Sequence, residues 1–328
     1  MTAPTPSASR RRAVIDVGTN SVKLLVGDIT GQSVTAVAED SEQTRLGRGF
    51  YETQRLQAEA IAETAASVAR FSEVAVGLGA SHIRVLATSA AREARNADQL
   101  VDAIRIQSGH TVEIISGPEE ADLAFRGVMT DDAISNSAVL IMDVGGGSTE
   151  FILGQDGRKT FSQSFPIGTV RLLEKFPQAD PPPAGALDPA RAWLQNFFRN
   201  EITPGLRRAW PATAEVLLIG TGGTTTLMAR IELGVESYER DLLERAPFTH
   251  AQVSAQLARL AALPLAHRRA VPGLPAKRAD VIIFGLLIFE VAMAELGLEQ
   301  LRVSTRGLRF AAILPPAGLL AGETPPAC

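Results

Sequence analysis

Asp143-Val144-Gly145-Gly146-Gly147-Ser148-Thr149-Glu150 decides the reading of this chain, because an earlier stretch, Asp16-Val17-Gly18-Thr19-Asn20-Ser21, repeats its design. Each is an apolar strand ending in an aspartate, a glycine-rich turn with hydroxyl side chains, and a second apolar strand. Glycine lets backbone N–H groups converge on an anion, and Ser and Thr hydroxyls add donors. The candidate phosphate ligands are therefore Gly18, Thr19, Asn20 and Ser21, with Lys23 just beyond, and Gly145, Gly146, Gly147, Ser148 and Thr149. Either turn alone reads equally well as a plain hairpin. The pair, one in each half of the chain, points to two related domains that pinch a phosphate chain between them.

The segments around the turns support that division. Ala13 to Val17, Val22 to Ile29 and Val34 to Ala38 have the composition of three short strands joined at Gly18 and Gly31. Ile61, Ala65, Val68, Phe71, Val74 and Leu78 then recur at helical spacing. Strands at Ile83 to Ala87 and Val112 to Ile115 alternate with a helix near Asn96 to Ile106. Ser116-Gly117-Pro118-Glu119-Glu120 opens another helix, with proline near its first position and acids in its first turn. The strand triplet restarts at Ala138 to Met142, Phe151 to Gly154 and Lys159 to Phe165. It is followed by helices near Thr169 to Phe176 and from Asp188 to about Leu206, and by the strand Val216 to Ile219. Helices at Thr249 to Leu260 and Ala279 to Leu296, a strand at Leu301 to Ser304 and a last helix from Gly307 complete the pattern. The fold class is α/β, with an expected N-terminal domain at 13–130 and a C-terminal domain at 131–314. Residues 1–12 and 315–328, rich in Pro, Ser, Gly and Ala, read as disordered tails.

An apolar fraction of 45% and a charged fraction of 21% are ordinary for a globular chain. A net charge of −4 argues against a general nucleic-acid binder, which needs a broad basic face. The longest apolar run, Val281 to Phe289, is too short to span a bilayer, so no membrane role is expected. The one cysteine, Cys328, gives no disulfide framework and no thiolate metal site, in keeping with a cytoplasmic location.

Chemistry is carried by few residues. Asp143 and Glu150 flank the second turn and could hold one hard divalent ion through oxygen, as Mg²⁺ prefers. Glu119 and Glu120 have two readings: acids that complement a helix dipole, or a carboxylate at the domain edge that orients water for attack on phosphorus. Of the candidate cations (Lys23, Arg45, Arg48, Arg92 and Arg171), Arg92 stands out because Thr88 to Arg92 caps a strand, where ligands sit in open α/β sheets. Gly220 to Thr226, and within it Gly222, Gly223 and Thr224, resembles a nucleotide-binding strand-to-helix turn; a tight turn for helix packing explains it equally well. His82, His110, His250 and His267 are scattered and read as surface or structural.

Taken in order, these motifs resemble the exopolyphosphatase and guanosine pentaphosphate phosphohydrolase (Ppx/GppA) family of the acetate kinase, sugar kinase, heat-shock chaperone and actin superfamily. Ala87 to Arg92, Ile115 to Ala121, Pro166 to Arg171, Arg278 to Asp280 and Arg306 to Arg309 extend the match over residues 13–314. The resemblance implies two actin-like (ribonuclease H-like) domains, each a mixed sheet flanked by helices, around a cleft. It implies release of terminal phosphate from inorganic polyphosphate or guanosine pentaphosphate, with Glu120 as base, Arg92 as phosphate ligand and Asp143 and Glu150 as Mg²⁺ carboxylates. A homodimer is the assembly that the analogy implies, and the short two-domain form is the expected variant. Two other readings share the motifs: a kinase of the same superfamily, and a non-catalytic sensor of guanosine tetra- or pentaphosphate.

Overall fold

The computed structural model describes residues 10–134, 136–180, 182–211 and 215–315. The rest of the expected tails, residues 1–9 and 316–328, lies outside them. Arg10, Arg11 and Arg12, read from composition as tail, instead open the first strand, paired with Ile29, Asp28 and Gly27. The Arg11 guanidinium forks onto the Asp28 carboxylate at 2.8 and 2.9 Å, so ladder and ion pair together tie this polar run down.

Strands β1 (Arg10–Val17), β2 (Val22–Thr30) and β3 (Ser33–Glu42) form an antiparallel triplet, which β4 (Ile83–Ala87) and β5 (Val112–Ile114) extend in parallel in the order β3-β2-β1-β4-β5. The second sheet repeats the plan. Its triplet is β6 (Ala138–Val144), β7 (Thr149–Gln155) and β8 (Arg158–Phe165). Beyond it come β9 (Val216–Thr221), β10 (Pro247–Thr249) and β11 (Gln300–Val303), in the order β10-β11-β9-β6-β7-β8. Central β6 is apolar on both faces because a layer of helices covers each side. Edge strand β3 alternates between half-buried and exposed residues.

The layers are not filled by each half of the chain alone. Helices Ala58–Gly77 and Ala97–Ser108 cover one face of the first sheet, burying Val68, Phe71, Leu100 and Ile104 against Ile15, Leu24 and Val26. Its other face receives Leu308, Phe310 and Ile313 from the C-terminal end, packed on Val14, Leu25 and Leu86. Conversely, the helix Gly117–Val128, early in the chain, lays Ala121, Ala124, Phe125 and Val128 on Val139, Ile141 and Ile152 of the second sheet. These two crossing segments touch each other at Gly127 and Gly307, where a Cβ on Gly127 would lie 2.0 Å from the Gly307 carbonyl oxygen. Two helices thus cross the boundary drawn at residue 130, because each sheet has an inward face that only the other half of the chain can reach.

One helix differs from its sequence pattern. The single helix expected from Asp188 to about Leu206 is Asp188–Phe197, a π turn at Phe198–Ile202 and a second helix, Thr203–Ala209. Pro204 has no N–H to donate and its ring crowds the preceding turn, so the backbone widens just before it.

Candidate active site between the two glycine turns

Strand register puts the two turns in equivalent places. Asp16 pairs with Lys23 across β1 and β2, and Asp143 pairs with Glu150 across β6 and β7. Each turn is closed by the same bond: the Gly18 amide donates to the Ser21 carbonyl at 3.0 Å, and the Gly145 amide to the Ser148 carbonyl at 2.9 Å. The turns meet tip to tip. A Cβ on Gly146 would lie 2.9 Å from Thr19 Cβ, and one on Gly147 would lie 2.3 Å from the Tyr51 hydroxyl and 2.5 Å from Ser89 Oγ. Only a residue without Cβ permits that approach.

Between the turns lies a cavity of about 70 Å³. It has room for roughly five water-sized groups, about the size of a phosphoryl and one water. Its walls are the turn residues 18–21 and 145–148 and the carboxylates of Asp16, Glu120, Asp143 and Glu150. It adjoins a second cavity of about 250 Å³ bordered by Lys23, Arg230, Arg278, Arg309 and Tyr238, with Gly222 and Gly223 on its wall.

The helix Gly117–Val128 delivers Glu120. Its start is a capping box in which Ser116 Oγ accepts from the Glu119 amide at 3.3 Å and the Glu119 carboxylate accepts from the Ser116 amide at 2.8 Å. The two readings of the acid pair therefore divide between them: Glu119 is the cap, and Glu120, one residue on, faces the cleft with 13% of its side chain accessible. Arg92 Nη1 donates to Glu120 Oε2 at 3.0 Å and to the Ile115 carbonyl at 2.9 Å. Burial pushes the Glu120 carboxyl up to about 7; Arg92 pulls it down, while the charges of Asp16 and Asp143 push it up. Glu150 accepts from Ser164 Oγ at 2.7 Å, yet burial and the charges of Glu120 and Asp143 hold it well above the usual carboxylate range. Asp143 is also raised by burial, with Lys23 opposing. Lys23 is lowered, chiefly by burial.

One consequence is a pH dependence. A base works only when ionised, so if Glu120 serves as one, turnover should fall about tenfold per pH unit below an apparent pKa of about 7. The pH profile of kcat/KM checks this; an acid limb near pH 4.5 instead would rule Glu120 out of that role.

The structure brings Gly18, Thr19, Asn20, Ser21, Lys23, Gly145, Gly146, Gly147, Ser148, Asp143, Glu150 and Glu120 to one cavity, with Gly223 and Thr224 at its edge. Four expectations change. Thr149 Oγ1 donates to the Ile167 carbonyl at 2.7 Å, and its buried side chain holds the hairpin to the following loop instead of meeting a ligand. Arg92 stands behind Glu120, outside the cavity that it was expected to line. Arg171 donates to the Gly147 carbonyl at 2.8 Å, pairs with Glu93 at 2.8 Å and lies 4.0 Å from the Tyr51 ring centroid, so it fastens the lobes together. Arg45 does likewise through Asp280 at 2.9 Å.

Residue type alone did not single out Asp16, Thr88 or Ser89 as lining groups, nor Arg278, whose guanidinium abuts Gly223 and reaches both cavities. The signal for Asp16 was its equivalence to Asp143; Arg278 ends a short 3-10 helix 55 positions beyond Gly223, and its one signal was the family-like motif Arg278 to Asp280. Among the described residues no three His, Cys, Asp or Glu side chains are grouped to hold a metal by themselves. No helix among the described residues is long and apolar enough to cross a membrane.

Comparison with known proteins agrees with this architecture. A sequence model of the Ppx/GppA phosphatase family matches residues 25–314. Exopolyphosphatase 2 of Mycobacterium tuberculosis is 31% identical over 324 residues, covering 95% of this chain and 100% of that protein. Among solved structures, an exopolyphosphatase from Cytophaga hutchinsonii superposes with a TM-score of 0.81 at 28% identity, covering 92% of this chain and 96% of that one. The Ppx/GppA family member of Aquifex aeolicus gives 0.74 at 27% identity, covering 93% and 96%. With two actin-like lobes and their paired glycine turns in place, the chain belongs to the Ppx/GppA phosphatase family.

Proposed function

We propose that this protein hydrolyses the terminal phosphoanhydride of inorganic polyphosphate, with Glu120 as general base. The observation that carries the reading is the convergence of two matched anion-binding turns on a phosphoryl-sized cavity that also holds a carboxylate raised to about 7. The names of the relatives, exopolyphosphatases of Mycobacterium and Cytophaga, support the substrate class.

In this reading the amides of Gly18 to Ser21 and Gly145 to Ser148 hold the terminal phosphoryl, with the Thr19, Ser21 and Ser148 hydroxyls as further donors. Glu120 accepts a proton from a water as its oxygen attacks phosphorus. The bond to the bridging oxygen breaks, and its electron pair leaves with the shortened chain. Lys23, Arg278 and Arg309, around the adjoining cavity, offset the charge of that chain. Most of the rate gain comes from positioning and electrostatics, as is usual in phosphoryl transfer.

Asp143 and Glu150 fit Mg²⁺ in character. They are hard oxygen donors crowded into one cavity, and Mg²⁺ commonly takes one or two carboxylates together with waters and substrate phosphates. The ion would neutralise phosphate charge there.

Guanosine pentaphosphate offers the same terminal anhydride, and Tyr238 and Leu227 beside the larger cavity could border its nucleoside. Phosphate release should therefore be measured in parallel from tripolyphosphate, long polyphosphate and guanosine pentaphosphate, with Mg²⁺ and with chelator. The expected result is release from at least one polyphosphate without any added acceptor, lost on chelation. Release that requires an acceptor would make the protein a kinase; binding without release from any of the three would make it a sensor.

A further inference from the structure

A third cavity, of about 360 Å³, borders the catalytic one and reaches the surface at exposed Gln163, Pro118 and Pro166. It has no lining residue in common with the 250 Å³ cavity, so the catalytic cavity sits between the two. Ser148 lines both sides of the partition. The remainder is two hydrogen-bonded pairs, each with one member on either side: Glu120 with Arg92 at 3.0 Å, and Glu150 with Ser164 at 2.7 Å. Ser162 Oγ, on the outer side, is buried without a hydrogen-bond partner. The one acid on the outer wall, Glu93, is neutralised by Arg171 at 2.8 Å. A cation and three hydroxyls around a passage of this size suit an orthophosphate ion.

We infer that this third cavity is the exit for orthophosphate, separate from the cavity that holds the chain. The inference rests on the hydrolase reading above. In-line displacement puts water and leaving chain on opposite sides of phosphorus. With water at Glu120, the shortened chain lies toward Lys23 and Arg278, and the new orthophosphate faces the partition. Once Glu120 has accepted the proton, Arg92 no longer faces an opposite charge there, and its hold on Glu120 weakens. Arg92 keeps its bond to the Ile115 carbonyl, and its guanidinium, on the outer side of the partition, is then available to the product. The partition yields only after the anhydride has broken, and the chain need not leave before the phosphate does.

Ser162→Leu and Gln163→Trp narrow this passage from β8, and neither residue holds a reacting group. Rapid quench of a tripolyphosphate reaction counts all phosphate cleaved, while a fluorescent phosphate-binding protein counts only what is free. In the narrowed variants, cleaved phosphate should appear in a burst of about one per site ahead of free phosphate, with steady turnover about tenfold lower because release has become limiting. Cleaved and free phosphate rising together in both variants, at whatever rate, would overturn the inference. Absence of cleavage in the unaltered protein would defeat the hydrolase reading instead. Gln163 is exposed, so the tryptophan variant carries the test if Ser162→Leu does not fold.

Discussion

Glutamine in place of Glu120 is expected to slow phosphate release from tripolyphosphate by about 10²–10⁴-fold, with binding of the chain little changed. Glutamine keeps the size of the side chain and leaves an oxygen for Arg92, whose guanidinium lies 3.0 Å away and is also anchored by the Ile115 carbonyl. What disappears is the capacity to take a proton from water. The turn residues proposed to hold phosphate are carried by other elements and stay in place, so the loss belongs to kcat. The acid limb near pH 7 should vanish with it. Single-turnover kinetics together with calorimetric binding of tripolyphosphate separate the two effects. A variant with near-normal turnover would leave Glu120 as a buried partner of Arg92 and nothing more.

The second large effect is on stability. Gly127→Ala is expected to cost about 3 kcal/mol, at the upper end of what overpacking usually costs. The added methyl would sit 2.0 Å from the Gly307 oxygen and 2.6 Å from its carbonyl carbon. Both are backbone atoms and cannot swing aside. The strain falls where the helix Gly117–Val128 crosses the C-terminal segment, the contact through which each half of the chain completes the other's core. Gly77→Ala is the control, since a Cβ there meets nothing within 4 Å; it should be neutral or slightly stabilising. Chemical denaturation of the two variants measures the difference. Equal midpoints would show that the crossing is not as tight as described.

Much of this molecule was legible in the sequence because its signals are local. A glycine turn between apolar strands, with an aspartate at a fixed position, carries its own geometry, and two of them implied both the duplicated sheets and the shared cleft. Pro118 near the first helical position and two acids in the first turn gave the helix start, although the capping box of Ser116 and Glu119 was not read from it. Contacts between distant segments were not legible. Arg92 and Glu120 are 28 residues apart, so an arginine beside a strand end looked like a phosphate ligand when its guanidinium is paired with Glu120. Arg171 had the same appearance, yet Gly147, Glu93 and Tyr51 absorb it. Asn96 stands at the N-cap of the helix Ala97–Ser108, but its side chain serves the Leu56 amide and carbonyl, 40 positions back. Pro204 was visible and should have divided the long helix; the apolar spacing on either side of it masked the break.

The most direct test is a crystal structure of the Glu120→Gln protein with tripolyphosphate and Mg²⁺. The terminal phosphoryl should lie between the amides of residues 18–21 and 145–148, with the side chain at position 120 within about 3 Å of the attacking water and the rest of the chain running toward Lys23 and Arg278. A phosphoryl bound elsewhere, or held by one turn alone with position 120 turned away from it, would contradict the account.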